Sequence, residues 1–196
     1  MFNDLSTPLS LLTTRRSGRP REMIAPGPDA AQLDAILAIA ARTPDHGKIN
    51  PWRFVIVPDA ARSALSTLIT TAYLAERPDA ARLEIETLEA FATQAPTLVV
   101  VLSSPNLERK IPIWEQELSV GAACMNLLHA AHAHGFVGGW LTGWAAYSDV
   151  VRDAFGAAPE RIAGFIFIGS PARDLEERPR PNPGSVISVW VPPATA

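Results

Sequence analysis

Apolar residues recur at helical spacing in some stretches of this chain and run without interruption in others. Thr7-Pro8 followed by Leu9, Leu11 and Leu12 reads as an N-cap, a proline in the first turn and a short helix. Pro28-Asp29 opens a second helix through Leu33, Ile36, Leu37 and Ile39, and Pro44 stops it because proline cannot continue the backbone hydrogen bonding. A loop over 43–51 leads into Trp52-Arg53-Phe54-Val55-Ile56-Val57, an aromatic and β-branched run that predicts a strand. Segments 59–75 and 79–93 surround Leu65, Leu68, Ile69, Leu83, Ile85 and Leu88 with charges, as amphipathic surface helices do, and Pro78 separates them.

The run 97–102 has no polar alternation and predicts a central strand covered on both faces. A long helix is expected from Pro112 to His134. Its middle is apolar nearly all round, which fits a helix buried by its own domain and by a partner. Residues 138–143 form a short strand bracketed by glycines, and 162–169 a second apolar strand ending in Gly-Ser-Pro. From Ala172 to Gly184 proline and arginine dominate, predicting an extended arm, and Val186 to Val191 could add an edge strand. With no repeat and no second core, the expectation is one α+β domain over 1–196, its helices packed around a small sheet.

Composition narrows the functions. The chain has 196 residues, 47% of them hydrophobic, enough for a real core. Seventeen basic against 20 acidic side chains, net −3, supply no general field for nucleic acid or an anionic membrane. No apolar stretch is long and uncharged enough to span a bilayer, and the N-terminus lacks a signal-peptide pattern. The single cysteine, Cys124, lies in an apolar run and reads as a buried thiol, so a cytoplasmic location is expected.

Against the overall acidity, basic residues concentrate at Arg15, Arg16, Arg19 and Arg21. With Ser17 they offer the fixed charge and hydroxyl that hold a phosphate, although a solvated basic loop would use the same residues. Arg42, His46 and Asn50 place a cation, a titratable ring and an amide at a helix end and in a loop. They equally suit a helix dipole and a turn. The double glycine 138–139 before Trp140 permits close approach of a flat ligand, or a tight turn. His129, His132 and His134 do not share one helix face and read as polar edge positions rather than ligands. Neither a Walker A loop, nor a dinucleotide-binding fingerprint, nor a G-x-S-x-G elbow is present.

Taken together, Arg15-Arg16-Ser17-Gly18-Arg19, Arg42-Thr43-Pro44-Asp45-His46, Asn50-Pro51-Trp52-Arg53-Phe54, Trp114-Glu115-Gln116-Glu117 and Gly138-Gly139-Trp140 resemble the nitroreductase family, in particular its small YdjA-like branch. The resemblance implies an intertwined α+β homodimer with long central helices at the interface and FMN bound by residues of both chains. It implies Arg15 and Ser17 at the FMN phosphate with Arg16 beside them, and Arg19 toward the ribityl chain and pyrimidine edge. Arg42, His46 and Asn50 match flavin-contacting positions, and Trp140, Leu141 and Thr142 match the segment along the ring. That branch usually carries arginine and serine where this chain has Leu141 and Thr142. One arginine of the arm should complete the phosphate site; Arg180 is chosen over Arg173 and Arg178. The implied activity is ping-pong electron transfer from NAD(P)H to a small-molecule acceptor, a nitroaromatic or quinone, with no catalytic side chain named. A flavin carrier or sensor, or a same-fold dehalogenase or flavin-consuming enzyme, are the alternatives.

Overall fold

The two apolar runs of the sequence lie side by side in the middle of the sheet. This is a computed structural model, and it describes residues 2–192. In chain order the elements are α1 (Pro8–Thr14), β1 (Met23–Ile24), α2 (Ala30–Ala40), β2 (Trp52–Val57), α3 (Asp59–Glu76), α4 (Arg82–Glu89) and β3 (Thr97–Ser103). There follow α5 (Ile113–Ala133), β4 (Val137–Leu141), α6 (Trp144–Tyr147), α7 (Asp149–Asp153), β5 (Arg161–Pro171) and α8 (Pro183–Val186). All strand pairings are antiparallel: β2 on β3, β3 on β5, and β5 with both β4 (along 165–169) and β1 (at 170–171).

Every residue of β3 is buried, because the pleat sends alternate side chains into two separate cores. Leu98, Val100 and Leu102 join Phe165 and Phe167 of β5 beneath α3 and Phe91. Val99 and Val101 join Ile166 and Ile168 beneath α2 and α5. Phe91 meets Phe165 edge-on at 5.0 Å between ring centroids, a favoured aromatic geometry. The β3–β5 register slips between Val101 and Leu102, passing over Ala163. Such a bulge lets Ile162 and Phe165 face the same core.

Local chemistry explains most boundaries. Thr7 caps α1 by accepting from the Ser10 N–H at 3.0 Å, and Asp29 with Gln32 forms a capping box on α2. Two expectations fail. The single helix over 79–93 is only α4, with a separate 3-10 turn at 91–93. The edge strand over Val186–Val191 is absent, since 187–192 adopt no regular structure and Val189 and Trp190 are 88% and 78% exposed. β-branched residues favour a strand only where a sheet edge or a packing face receives them. No helix among the described residues is long and apolar enough to cross a membrane.

Candidate functional site

The basic segment after α1 is positioned by strand β4. The Gly18 N–H donates to the Gly138 carbonyl at 3.1 Å. A Cβ on Gly139 would lie 2.5 Å from the Gly18 oxygen, and one on Gly138 would lie 2.6 Å from Leu128 Cδ2. The double glycine therefore admits the chain's own backbone and a core leucine at close range, while Gly139 also lines the adjoining cleft. Residues 17–22 so placed form one wall of a cleft of about 850 Å³; residues 173–179 form the facing wall, with Met125, Leu128 and Gly139 to Leu141 between them.

Arg15, Arg16 and Arg180 adjoin the ends of these two walls. Arg15 is half-buried and its Nε has no hydrogen-bond partner. Burial, and then the charges of Arg180 and Arg16, press its guanidinium below the usual arginine range, though it remains a cation. Arg16 donates to the Thr13 and Arg15 carbonyls at 3.1 and 2.9 Å and pairs with Glu177. Arg180 reaches the same carboxylate at 2.9 Å. Two guanidinium groups, Arg16 and Arg180, thus share one carboxylate, and both press on the charge of Arg15. Ser17 is exposed at the wall, and Arg19 also lines the cleft, 3.5 Å from Glu22. Glu22 also binds Arg173 at 3.0 Å, which ties Arg173 away from the cluster. Arg178 makes no ion pair among the described residues.

At the other end of the cleft, the Trp140 indole lies over Gly164 and donates to the Ala163 carbonyl at 3.0 Å. That carbonyl belongs to the residue the bulge skips, so the bulge and the tryptophan explain each other. Trp140 and Leu141 line the cleft, whereas Thr142 is exposed outside its lining.

Behind Arg15 lies a buried polar cluster. His132 has no exposed surface, and neither of its ring nitrogens is partnered; His129 Nδ1 and Asn3 Oδ1 are likewise unpaired. Burial, then Arg15 and His129, lower the His132 pKa to about 4. The expectation of polar edge positions therefore fails for His132. Cys124 is fully buried and its thiol is pushed up to about 12 by desolvation, which leaves it unreactive.

Arg42, His46 and Asn50 do not line this cleft. Arg42 is exposed and His46 Nδ1 lies 2.7 Å from Glu115 Oε2 on α5. The loop is braced by Asp45, whose carboxylate accepts from the Ile49 and Asn50 N–H groups at 2.5 and 3.2 Å. Lys48 and Asn50 are held at φ of 54° and 53°, a conformation that costs non-glycine residues energy.

The sequence pattern of the nitroreductase family matches residues 12–170. The chain belongs to the nitroreductase family. A protein of Escherichia coli K12, named "Putative NAD(P)H nitroreductase YdjA", is 35% identical over 164 residues, covering 83% of this chain and 87% of its own. Among solved structures, a nitroreductase-like family protein from Bacillus cereus superposes with a TM-score of 0.81 at 19% identity, covering 94% of this chain and 96% of its own. A Desulfovibrio desulfuricans chain solved in complex with FMN gives 0.71 at 19% identity, covering 95% and 99%. The nitroreductase-family match stops at 170, before the arm that brings Arg180 to the cluster.

Sequence reasoning singled out neither Glu22 nor Glu177, each of which joins an arginine of the 16–22 segment to one of the arm. Their only sequence signal is a carboxylate three residues from an arginine, Arg19-x-x-Glu22 and Glu177-x-x-Arg180.

Proposed function

We propose that this protein is a homodimeric FMN oxidoreductase that takes electrons from NAD(P)H and passes them to a small organic acceptor, such as a nitroaromatic or quinone, in a ping-pong cycle. The observation that carries the reading is the meeting of Arg15, Arg16 and Arg180 at one end of the cleft with Ser17. Three cations against one carboxylate, with an orphaned Arg15 Nε, leave positive charge that a phosphate monoester would neutralise. The FMN complex of a fold relative and the NAD(P)H in a relative's name point the same way.

Bound FMN would supply reversible hydride acceptance, chemistry that no side chain here offers. The chain's own part is to bind and orient. Arg15, Arg16, Arg180 and Ser17 would hold the phosphate. Arg19, on the same wall, would place positive charge toward the pyrimidine edge and stabilise negative charge arising there. Trp140, fixed by its bond to Ala163, would brace the 140–141 backbone against the ring, and Met125 with Leu128 would give an apolar surface that excludes water.

Arg42, His46 and Asn50 would act from a second copy. Supporting this, α5 exposes Trp114 (68%), Leu118 (54%) and Ala122 on the face away from its core, a stripe that leads to Met125 in the cleft. An uncovered apolar stripe on a central helix is what a dimer interface covers. The single buried cysteine and nicotinamide chemistry suit a reducing cytoplasm.

The test is the visible spectrum of FMN-supplemented, desalted protein, followed anaerobically as NADH and then NADPH are added. Retained flavin that bleaches with either donor supports the reading. Failure to retain flavin overturns it, and flavin that never bleaches reduces it to a binding protein.

A further inference from the structure

Glu177 sits where the proposed ligand's phosphate would go. Its carboxylate is bound by Arg16 and by Arg180, the two cations whose charges press on Arg15. The partners differ in freedom. The Arg16 side chain is only 14% exposed and is held by the Thr13 and Arg15 carbonyls as well. The Glu177 side chain is 51% exposed and belongs to an arm without regular structure between β5 and α8. When a stronger anion arrives, Arg16 can stay while Glu177 leaves.

We propose that Glu177 is a built-in counter-anion of this arginine cluster, displaced by the ligand's phosphate, so that it sets the affinity of every ligand that must displace it. The inference rests on reading the cleft as a phosphate site. A carboxylate carries one negative charge, whereas a phosphate monoester carries about −1.5 to −2 at neutral pH, so the monoester wins the arginines. Singly charged ambient anions face an equal competitor that is tethered to the site and do not stay. Meanwhile the Glu22–Arg173 pair, which involves none of the three clustered arginines, keeps the start of the arm on its wall as Glu177 departs.

Glu177→Gln removes the competing charge from an exposed arm position, where a folding defect is not expected. Fluorescence titration should show FMN binding about three- to fivefold tighter than in the parent protein, the upper range expected for losing a half-exposed ion pair. Riboflavin, which has no phosphate and leaves Glu177 in place, should bind equally well to both. Glu176→Gln is the control: Glu176 lines the same cleft but makes no ion pair among the described residues, and its removal should change FMN affinity less than about twofold.

FMN binding that is unchanged or weaker in Glu177→Gln would overturn the proposal, since Glu177 would then position the arginines rather than compete. An equal gain from Glu176→Gln would overturn it too, leaving only long-range charge. Calorimetry with inorganic pyrophosphate reads the cluster without flavin. Tighter pyrophosphate binding in Glu177→Gln supports the counter-anion even if no variant binds FMN, an outcome that would sink only the flavin reading. Unchanged pyrophosphate binding overturns it.

Discussion

The arginine cleft and the loop over 42–50 hold the two halves of the expected site, and the fold treats them differently. Arg15 to Arg19 and Arg180 are over 160 positions apart in the chain, yet strand pairing and the arm bring them together. Arg42, His46 and Asn50 are far nearer to Arg15 in sequence and still do not line the cleft. Proximity along the chain therefore says little about which residues share a site. The first half is assembled by the sheet within one copy; the second is a braced, preformed loop outside the cleft, which the proposed dimer would bring to it.

The largest effect should come from acid acting behind the arginine half. His132 has a folded pKa of about 4 against the ordinary 6.5, so the unfolded chain takes up the proton first. Stability present above pH 6.5 is lost as pH falls toward 4, by on the order of 3 kcal/mol. Urea midpoints at pH 7 and 4.5 check this: His132→Phe should lose much less than the parent, and equal losses would clear His132 of the role.

Arg15→Ala should weaken FMN by about 30-fold, near 2 kcal/mol, while riboflavin changes little, because a charge-assisted phosphate contact is lost. Equal losses for both ligands would mean that Arg15 supports the fold rather than the phosphate. Leu118→Glu puts a charge on the exposed stripe of α5. Light scattering should then find a monomer, with FMN weakened roughly tenfold because the loop of the second copy is gone. A dimer, or a monomer with parental affinity, would break the proposed division between the two halves. His46→Ala is the mildest, expected to weaken FMN about threefold as one exposed contact disappears. A loss exceeding that of Arg15→Ala would reverse the ranking of the two regions.

Much of this was legible because it depends on short-range rules. The helices at 8–14, 30–40, 59–76 and 113–133 follow from caps, prolines and apolar spacing, and β3 and β5 from runs too apolar to face water. The tail at 186–191 misled because its composition suits a strand, but it pairs with no strand of the sheet and stays exposed. The small elements β1, α6 and α7 carry too few residues for any period to emerge. The double glycine illustrates the limit well. Sequence marked a close approach at 138–139, but only the fold shows that Gly18 and Leu128 are the groups that come within reach.

By itself the sequence determined the longer helices and the central strands, the family pattern and the store of basic residues near the N-terminus, since propensity, periodicity and residue chemistry are local properties. The family resemblance pointed to Arg180, but tertiary structure alone decided that Arg173 is drawn to Glu22 instead and that Glu177 lies between Arg16 and Arg180. It also decided that His132 is buried unpaired behind them. Those outcomes depend on where an arm without regular structure comes to rest against a sheet, and electrostatic neighbours across that gap leave no period for a sequence to display.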